Sequence, residues 1–293
     1  MRDFHSPWRR WLVGGVALFA LGLAQFPTQK SNPSLSHTRP APRAKNAPMI
    51  HLFSSDGLPR RGRNNEIISA NWSGYALSNG SYVSARATWS VPTVSYAPHP
   101  GATTFEDSST WIGIGGFDDQ TLIQLGTEQY VTGTGDHTAY HPWYGLGASA
   151  TLLPPQYTTS PNDEITASLQ CTASCSPNVQ QTWILSMTNS TKNWTWTGTF
   201  EYKSSLASAE WIEEAPTDVF VVVTLADYGL VEFRGITVNG AKGNLSLSAN
   251  GIILSDINWA VSTPCAAFNG NRFVVTYGSS CTHTYEFRGS DGQ

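Results

Sequence analysis

Cations are scarce in most of this 293-residue chain. Beyond residue 63 it has three lysines, Lys192, Lys203 and Lys242, and four arginines against nineteen Asp and Glu, a net charge of −12 compared with −4 for the whole. Such a surface lacks the electrostatic footprint that phosphate groups require, which excludes nucleic acid as a partner. It suits an acidic medium, where carboxylates are neutralised and self-repulsion is relieved. The common devices of covalent and metal-assisted hydrolysis are missing too. There is no Gly-x-Ser-x-Gly, no His-Glu-x-x-His, no Asp-Thr-Gly or Asp-Ser-Gly, and none of the three lysines completes Ser-x-x-Lys. His99, His137, His141 and His283 belong to no recognisable serine or cysteine hydrolase motif.

Cysteine is sparse: four residues, all after position 170. An even, late set fits disulfides in an oxidising compartment, and of the three possible connectivities the spacing favours Cys171 with Cys175 and Cys265 with Cys281. One C-x-x-x-C and a second pair sixteen residues apart, without clustered histidines, do not make a zinc framework, so neither metal nor cofactor is expected. Long apolar runs are confined to WLVGGVALFALGLA (11 to 24), preceded by Arg2, Arg9 and Arg10 and ending in a small-x-small pattern. At about 14 residues it is short of the roughly 20 that a spanning helix needs, so residues 1–24 read as a secretory signal peptide. The expectation is a secreted, monomeric protein with no stable membrane association once the signal is removed.

Residues 25–63 are rich in Pro, Ser and basic groups and have no sustained apolar periodicity, and they are expected to be a pro-segment or linker ahead of a domain over 64–293. Their net charge of +6 faces a domain of −12. That contrast predicts a zymogen whose segment covers an acidic cleft at neutral pH and is cut near Arg63.

What fills the rest is strand-like. SYVSARATWSVP (81 to 92), STWIGIGG (109 to 116), TLIQLGTEQYV (121 to 131), EITASLQC (164 to 171), QTWILSMTN (181 to 189), WTWTGTFEY (194 to 202), VFVVVTLADYG (219 to 229), LVEFRGITVNG (230 to 240) and RFVVTYG (272 to 278) are rich in β-branched and aromatic residues and separated by Gly, Asn, Pro and Ser. No stretch after the signal has four turns of helical periodicity. The fold class is all-β, an antiparallel two-sheet β-sandwich. Sequons at Asn71, Asn79, Asn189, Asn193 and Asn244 would mark surface positions if glycosylated.

The chemistry left open is that of carboxylates. In SAEWIEEAP (208 to 216) strand alternation places Glu210, Ile212 and Glu214 on one face, Trp211 and Glu213 on the other. Sandwich glycosidases built on Glu-x-Asp-x-Glu carry a carboxylate at the middle same-face position, which here is Ile212. A secreted carbohydrate-binding module or glycosidase using the eleven tryptophans as sugar platforms remains an alternative, as does a structural surface protein. In TLIQLGTEQY, Leu122, Gln124, Gly126 and Glu128 share a face, and Gln124 is an amide between apolar Ile123 and Leu125.

These strands and their neighbours together resemble the glutamic peptidases, the eqolisin-type acid endopeptidases. The matching pieces are ANWSGYAL (70 to 77), ATWSVP (87 to 92), STWIGIGG, LIQLGTEQ (122 to 129), SAEWIEEAP and ADYGLVEF (226 to 233), in the family's order over about 165 residues. The resemblance implies a concanavalin-like sandwich with the cleft on one concave sheet, and hydrolysis of protein or peptide substrates. It puts the catalytic glutamine on Gln124, the catalytic glutamate on Glu210 and the cleft tryptophan on Trp111, with Glu128 and Glu214 as further cleft groups. Glu210 would take a proton from the attacking water and return it to the leaving amine, and Gln124 would hold the oxyanion without ever titrating. The chain departs from the well-known fungal members in having Gly115 in place of an acidic residue, Glu128 in place of Asp, and His141 and Pro142 in AYHPWYGLG (139 to 147).

Overall fold

Strand pairing sorts the strands of this chain into two sheets, only one of which keeps a clear alternation of buried and exposed side chains. The computed structural model describes residues 46–97, 105–133, 137–218, 221–255 and 260–281, all within one compact unit, Ala41–Gln293. The expected signal peptide, residues 25–45, His99 and His283 lie outside the described residues. In chain order the elements are β1 (Ile67–Ser69), β2 (Trp72–Ser78), β3 (Ser84–Ser90), β4 (Phe105–Ile114), β5 (Ile123–Thr132), β6 (Thr138–Leu146), β7 (Ser149–Leu152), β8 (Glu164–Ala173) and β9 (Gln181–Asn189). They continue with β10 (Trp194–Tyr202), β11 (Ser208–Glu214), β12 (Thr217–Asp218), β13 (Val221–Val222), β14 (Leu230–Val238), β15 (Ala241–Lys242), α1 (Leu247–Asn250), β16 (Gly251–Ser255), β17 (Ala260–Pro264) and β18 (Phe273–Tyr277).

One sheet runs β10-β9-β8-β3-β14 and the other β14-β18-β17-β16-β2-β11-β4-β5-β6-β7. They share β14, which changes partner along its length: Leu230–Phe233 pairs with β18, and from Arg234 onward the partner is β3. The ladder shifts register between Arg234 and Thr237, where Gly235 has φ +60°, a left-handed conformation that glycine adopts without steric cost. The ladders are antiparallel except the short pairing of β1 with β16. The expected all-β antiparallel sandwich is the architecture of this chain.

Between the sheets lies the main core, with Trp89, Trp183, Trp211, Ile112, Leu125, Phe233 and Phe273 fully buried. Each such side chain contributes on the order of 2 kcal/mol on leaving water. The second sheet is also apolar on its other face, where Trp72, Trp111, Phe117, Leu122, Trp143, Ile212 and Ile252 form a separate cluster with Met49. A sheet buried on both faces loses the simple apolar-in, polar-out reading of its sequence, which is why β2 and β6 are hard to see as strands in advance.

Three regions depart from expectation. Among the described residues of VFVVVTLADYG there is no long strand: Val221–Val222 pairs with β12, and Leu225 and Asp227 make single bridges to Asp107 and Ser95. Its apolar residues Val223, Leu225 and Ala226 are buried as a connection covering the end of β4. Two sequons are not at the surface, because Asn71 and Asn189 are fully buried, the latter donating to Asp163 at 2.8 Å. Of residues 46–63, Asn46, Pro48 and Met49 are buried and bridges tie His51 to Ser69 and Arg61 to Ile67, while 53–58 are exposed around an internal bridge from Phe53 to Pro59. Cys171 is bonded to Cys175, and Cys265 to Cys281.

Candidate active site

The face of the second sheet turned away from the first carries the polar groups singled out above, set by strand register. Across β2, β11, β4, β5 and β6 one rung reads Ala76, Glu210, Gly113, Gln124, Gly145. Glu210 and Gln124 are therefore two strands apart, roughly 9.6 Å between backbones at 4.8 Å per strand, with a glycine between them. Neither glycine of the rung could carry a side chain without crowding the pair. A Cβ on Gly113 would stand 3.2 Å from Glu210 Oε2 and 2.7 Å from the Trp111 ring, and one on Gly145 would stand 3.0 Å from Gln124 Nε2. The two functional groups thus each lie over a bare stretch of backbone.

The next rungs complete the face. Ile212 pairs with Trp111 and Trp111 with Gly126; Glu214 pairs with Ser109, Ser109 with Glu128 and Glu128 with His141. Trp211 and Glu213 point the other way, as alternation requires: Trp211 lies in the inter-sheet core, and Glu213 accepts a hydrogen bond from Thr110 Oγ1 at 2.6 Å. The three glutamates of SAEWIEEAP are all fully buried but do three different things.

Glu210 is buried, and neither of its oxygens has a hydrogen-bond partner of acceptable geometry among the described residues. Burial holds its carboxyl well above the usual range; the nearby Ser208 hydroxyl works against that rise and the charge of Asp119 adds to it. Glu214 is also raised well above its usual value by burial, but it is fully engaged. Its Oε2 accepts from Trp111 Nε1 at 2.9 Å, and its Oε1 accepts from the Ala47 backbone at 3.0 Å and Asn71 Nδ2 at 3.3 Å. Trp111 in turn meets Trp72 edge-on, ring centroids 4.9 Å apart. Glu128 lies further along the cleft beside Asp107, whose carboxyl is driven well above its usual value by burial and by Glu128. It is four register positions from Gln124 along β5 and so stands away from the Glu210 rung.

Of the departures from the fungal pattern, Gly115 has φ +82°, and a Cβ there would meet Thr121 O at 2.3 Å. Asp119 closes the turn that follows. Burial alone would raise it, but hydrogen bonds from Ser205, Thr121 and Gly116 bring it below its usual value. His141 is lowered by burial.

Sequence reasoning missed the groups that reach this face from its N-terminal side. Gln124 Nε2 donates to the Asn46 carbonyl at 3.2 Å, Trp72 Nε1 to the Ala47 carbonyl at 2.9 Å, and Asn71 Nδ2 to the Pro48 carbonyl at 3.2 Å. Residues 46–50 thus lie along the cleft, held by backbone contacts. Among the described residues, the salt bridges do not include Arg60, Arg61 or Arg63, and Lys30, Arg39, Arg43 and Lys45 lie outside the described residues. Nothing in the composition of 46–50 marks it; the signal available was that Asn71 and Trp72 sit in a motif already quoted. Among the described residues no three His, Cys, Asp or Glu side chains are grouped to hold a metal ion.

Comparison with known proteins bears on the whole arrangement. The model of the Peptidase A4 family matches residues 70–277. No curated protein matches the chain. Among solved structures, scytalido-glutamic peptidase with a transition state analog inhibitor matches with a TM-score of 0.56 at 22% identity, covering 71% of this chain and 98% of that one. SCP-B, a member of the Eqolisin family of peptidases in a complex with the tripeptide Ala-Ile-His, matches with a TM-score of 0.54 at 22% identity and the same coverage. At this identity the likeness is one of fold.

Proposed function

The chain belongs to the Peptidase A4 family and is a peptidase, and from that premise we propose that it is a secreted acid endopeptidase in which Glu210 and Gln124 activate one water without a covalent intermediate. The observation that carries this reading is the shared rung: a carboxylate and a non-titrating amide face the same cleft across Gly113. Glu210 takes a proton from water as the water attacks the scissile carbonyl, and returns it to the leaving nitrogen. Gln124 donates Nε2–H to the developing oxyanion, and its carbonyl oxygen, buried and without a partner among the described residues, is available to orient the water.

The base must be ionised to act. In the covered cleft burial keeps Glu210 protonated; opening the cleft to water and substrate relieves that desolvation. The carboxyl then moves toward its ordinary value near 4.3, where it is partly ionised at roughly pH 3 to 4 and a histidine would be almost wholly protonated. Trp111 and Glu214 act together as a wall of the substrate cleft, the indole fixing the carboxylate that receives a peptide N–H. Secretion follows from the signal-like residues 1–24 and agrees with the two disulfides.

The sugar-platform alternative requires exposed indole faces. Trp89, Trp183 and Trp211 are fully buried in the core between the sheets, which removes these three of the eleven tryptophans from that role. The test is hydrolysis of denatured casein against a panel of β-glucans at about pH 3 to 4. Peptide cleavage lost in Glu210→Gln is expected; cleavage of glycan alone would reverse the assignment.

A further inference from the structure

We propose that the chain is its own first substrate, and that the bond it cuts is Asn46–Ala47. This rests on Gln124 and Glu210 acting as described above, and it goes further by naming the bond. The carbonyl that Gln124 Nε2 holds, at 3.2 Å, is that of Asn46. If that amide marks the oxyanion position, the carbonyl bonded to it is the one that water attacks.

The residues on the leaving-group side are held as a substrate would be. Ala47 N–H, the nitrogen that leaves, donates to Glu214 Oε1 at 3.0 Å. The Ala47 carbonyl accepts from Trp72 Nε1 at 2.9 Å, and the Pro48 carbonyl from Asn71 Nδ2 at 3.2 Å. Met49 N–H donates to the Gly116 carbonyl at 2.9 Å, and Ile50 N–H to Asn71 Oδ1 at 2.8 Å. The Met49 side chain is buried in the apolar cluster with Trp72, Phe117 and Ile252. Six backbone groups in four consecutive residues are engaged, counting the Ile50 carbonyl that accepts from Ala70 N–H at 2.9 Å, and none of the four residues belongs to a named strand. These hydrogen bonds are the contacts of a peptide laid in a cleft, with Asn46 itself 2% exposed.

The unengaged atoms fall where the chemistry needs them. Both Glu210 oxygens, Gln124 Oε1 and Asn46 Oδ1 are buried acceptors without hydrogen-bond partners among the described residues. A water admitted beside Glu210 finds acceptors without partners there, and the carbonyl carbon it attacks is the one whose oxygen Gln124 holds. Hydrolysis then runs as a balanced step. Water entering beside Glu210 relieves the burial that keeps it protonated; the ionised carboxylate then takes a proton as the water oxygen bonds to the Asn46 carbonyl carbon, the carbon–nitrogen bond breaks, and Glu210 passes the proton to the Ala47 nitrogen. The products are a carboxylic acid at Asn46 and a free amine at Ala47. The first cut thus lies seventeen residues before Arg63 in sequence, leaving residues 47–63 bridged to the domain.

The experiment takes the full chain, purified at neutral pH, and follows it by intact mass spectrometry across about pH 3 to pH 7 at several dilutions, with casein hydrolysis measured on the same samples. Expected is a fragment beginning at Ala47 that forms at a rate independent of protein concentration, and at least about 100-fold more slowly in a folded Glu210→Gln variant. Casein hydrolysis with Asn46–Ala47 intact would overturn this inference and leave the function standing. A rate that rises with concentration would overturn the cut within one molecule. Neither casein hydrolysis nor self-cleavage at any pH would overturn the functional reading, and this one with it.

Discussion

Glu210 and Gln124 are both register partners of Gly113, one through β11–β4 pairing and the other through β4–β5 pairing. Three adjacent strands therefore place an acid and an amide on one line of the sheet, on one face, with no side chain between them. The rung is rigid, because each flanking residue is locked in an antiparallel ladder.

Substituting either member should remove catalysis and leave the fold. Gln124→Ala is expected to lower kcat by about 10² to 10³, the usual cost of an oxyanion donor. Glu210→Gln should lower it by at least about 10². Casein hydrolysis after removal of residues 46–50 from the cleft, with thermal unfolding as the fold control, checks both. Wild-type rates in either variant would refute the dyad.

Gly113→Ala tests the bare backbone between them. The new Cβ would stand 2.7 Å from the Trp111 ring, 2.9 Å from Leu122 Cδ1 and 3.2 Å from Glu210 Oε2, with a ring and a core leucine that cannot easily give way. Overpacking of this kind costs about 1–3 kcal/mol. The expected result is a lower Tm and a kcat reduced by about tenfold or more, since Glu210 is displaced from the rung.

Glu214→Gln should act on binding more than on chemistry. Three donors, from Ala47, Asn71 and Trp111, converge on its two oxygens. An amide offers only one acceptor oxygen, so one donor is left facing an NH₂ group, at a cost of about 1–3 kcal/mol. KM for peptides should rise about tenfold or more with kcat changed much less, read from steady-state kinetics.

The pH dependence of stability follows from the buried carboxyls. Burial raises Glu213 to about 8 and Glu106 to about 7, and it raises Glu210, Glu214 and Asp107 well above their usual values. In the unfolded chain these groups titrate near 4. Below that pH both states hold the protons and stability is full. As pH rises from about 4 through 7 to 8 the unfolded state releases protons that the fold retains, so stability falls by up to about 1.4 kcal/mol per pH unit for each group. Tm should be highest in acid and decline toward neutrality. Glu213→Gln, which keeps an oxygen for the Thr110 hydroxyl, should flatten the decline; a Tm that rises toward pH 8 would contradict it.

Period-two alternation alone separated Glu210 and Glu214 from Glu213, and Gln124 from Ile123 and Leu125, because side-chain direction along a strand is a local property. Residue types and turn signals were likewise enough for the all-β class, and cysteine spacing for a favoured pairing. Pairing register is not local. That Glu210, Gly113 and Gln124 form one rung depends on which strands lie side by side: β4 and β5 are consecutive, but β11, which carries Glu210, comes from a distant part of the chain. The stretch VFVVVTLADYG shows the reverse failure: among its described residues Val221 and Val222 make a two-residue pairing, and Val223, Leu225 and Ala226 are buried as a connection. Residues 46–50 look like linker because what engages them is mostly their backbone, and every residue other than proline has the same two backbone groups to offer. Only the fold could bring the Asn46 carbonyl to the Gln124 amide, across 78 positions of sequence.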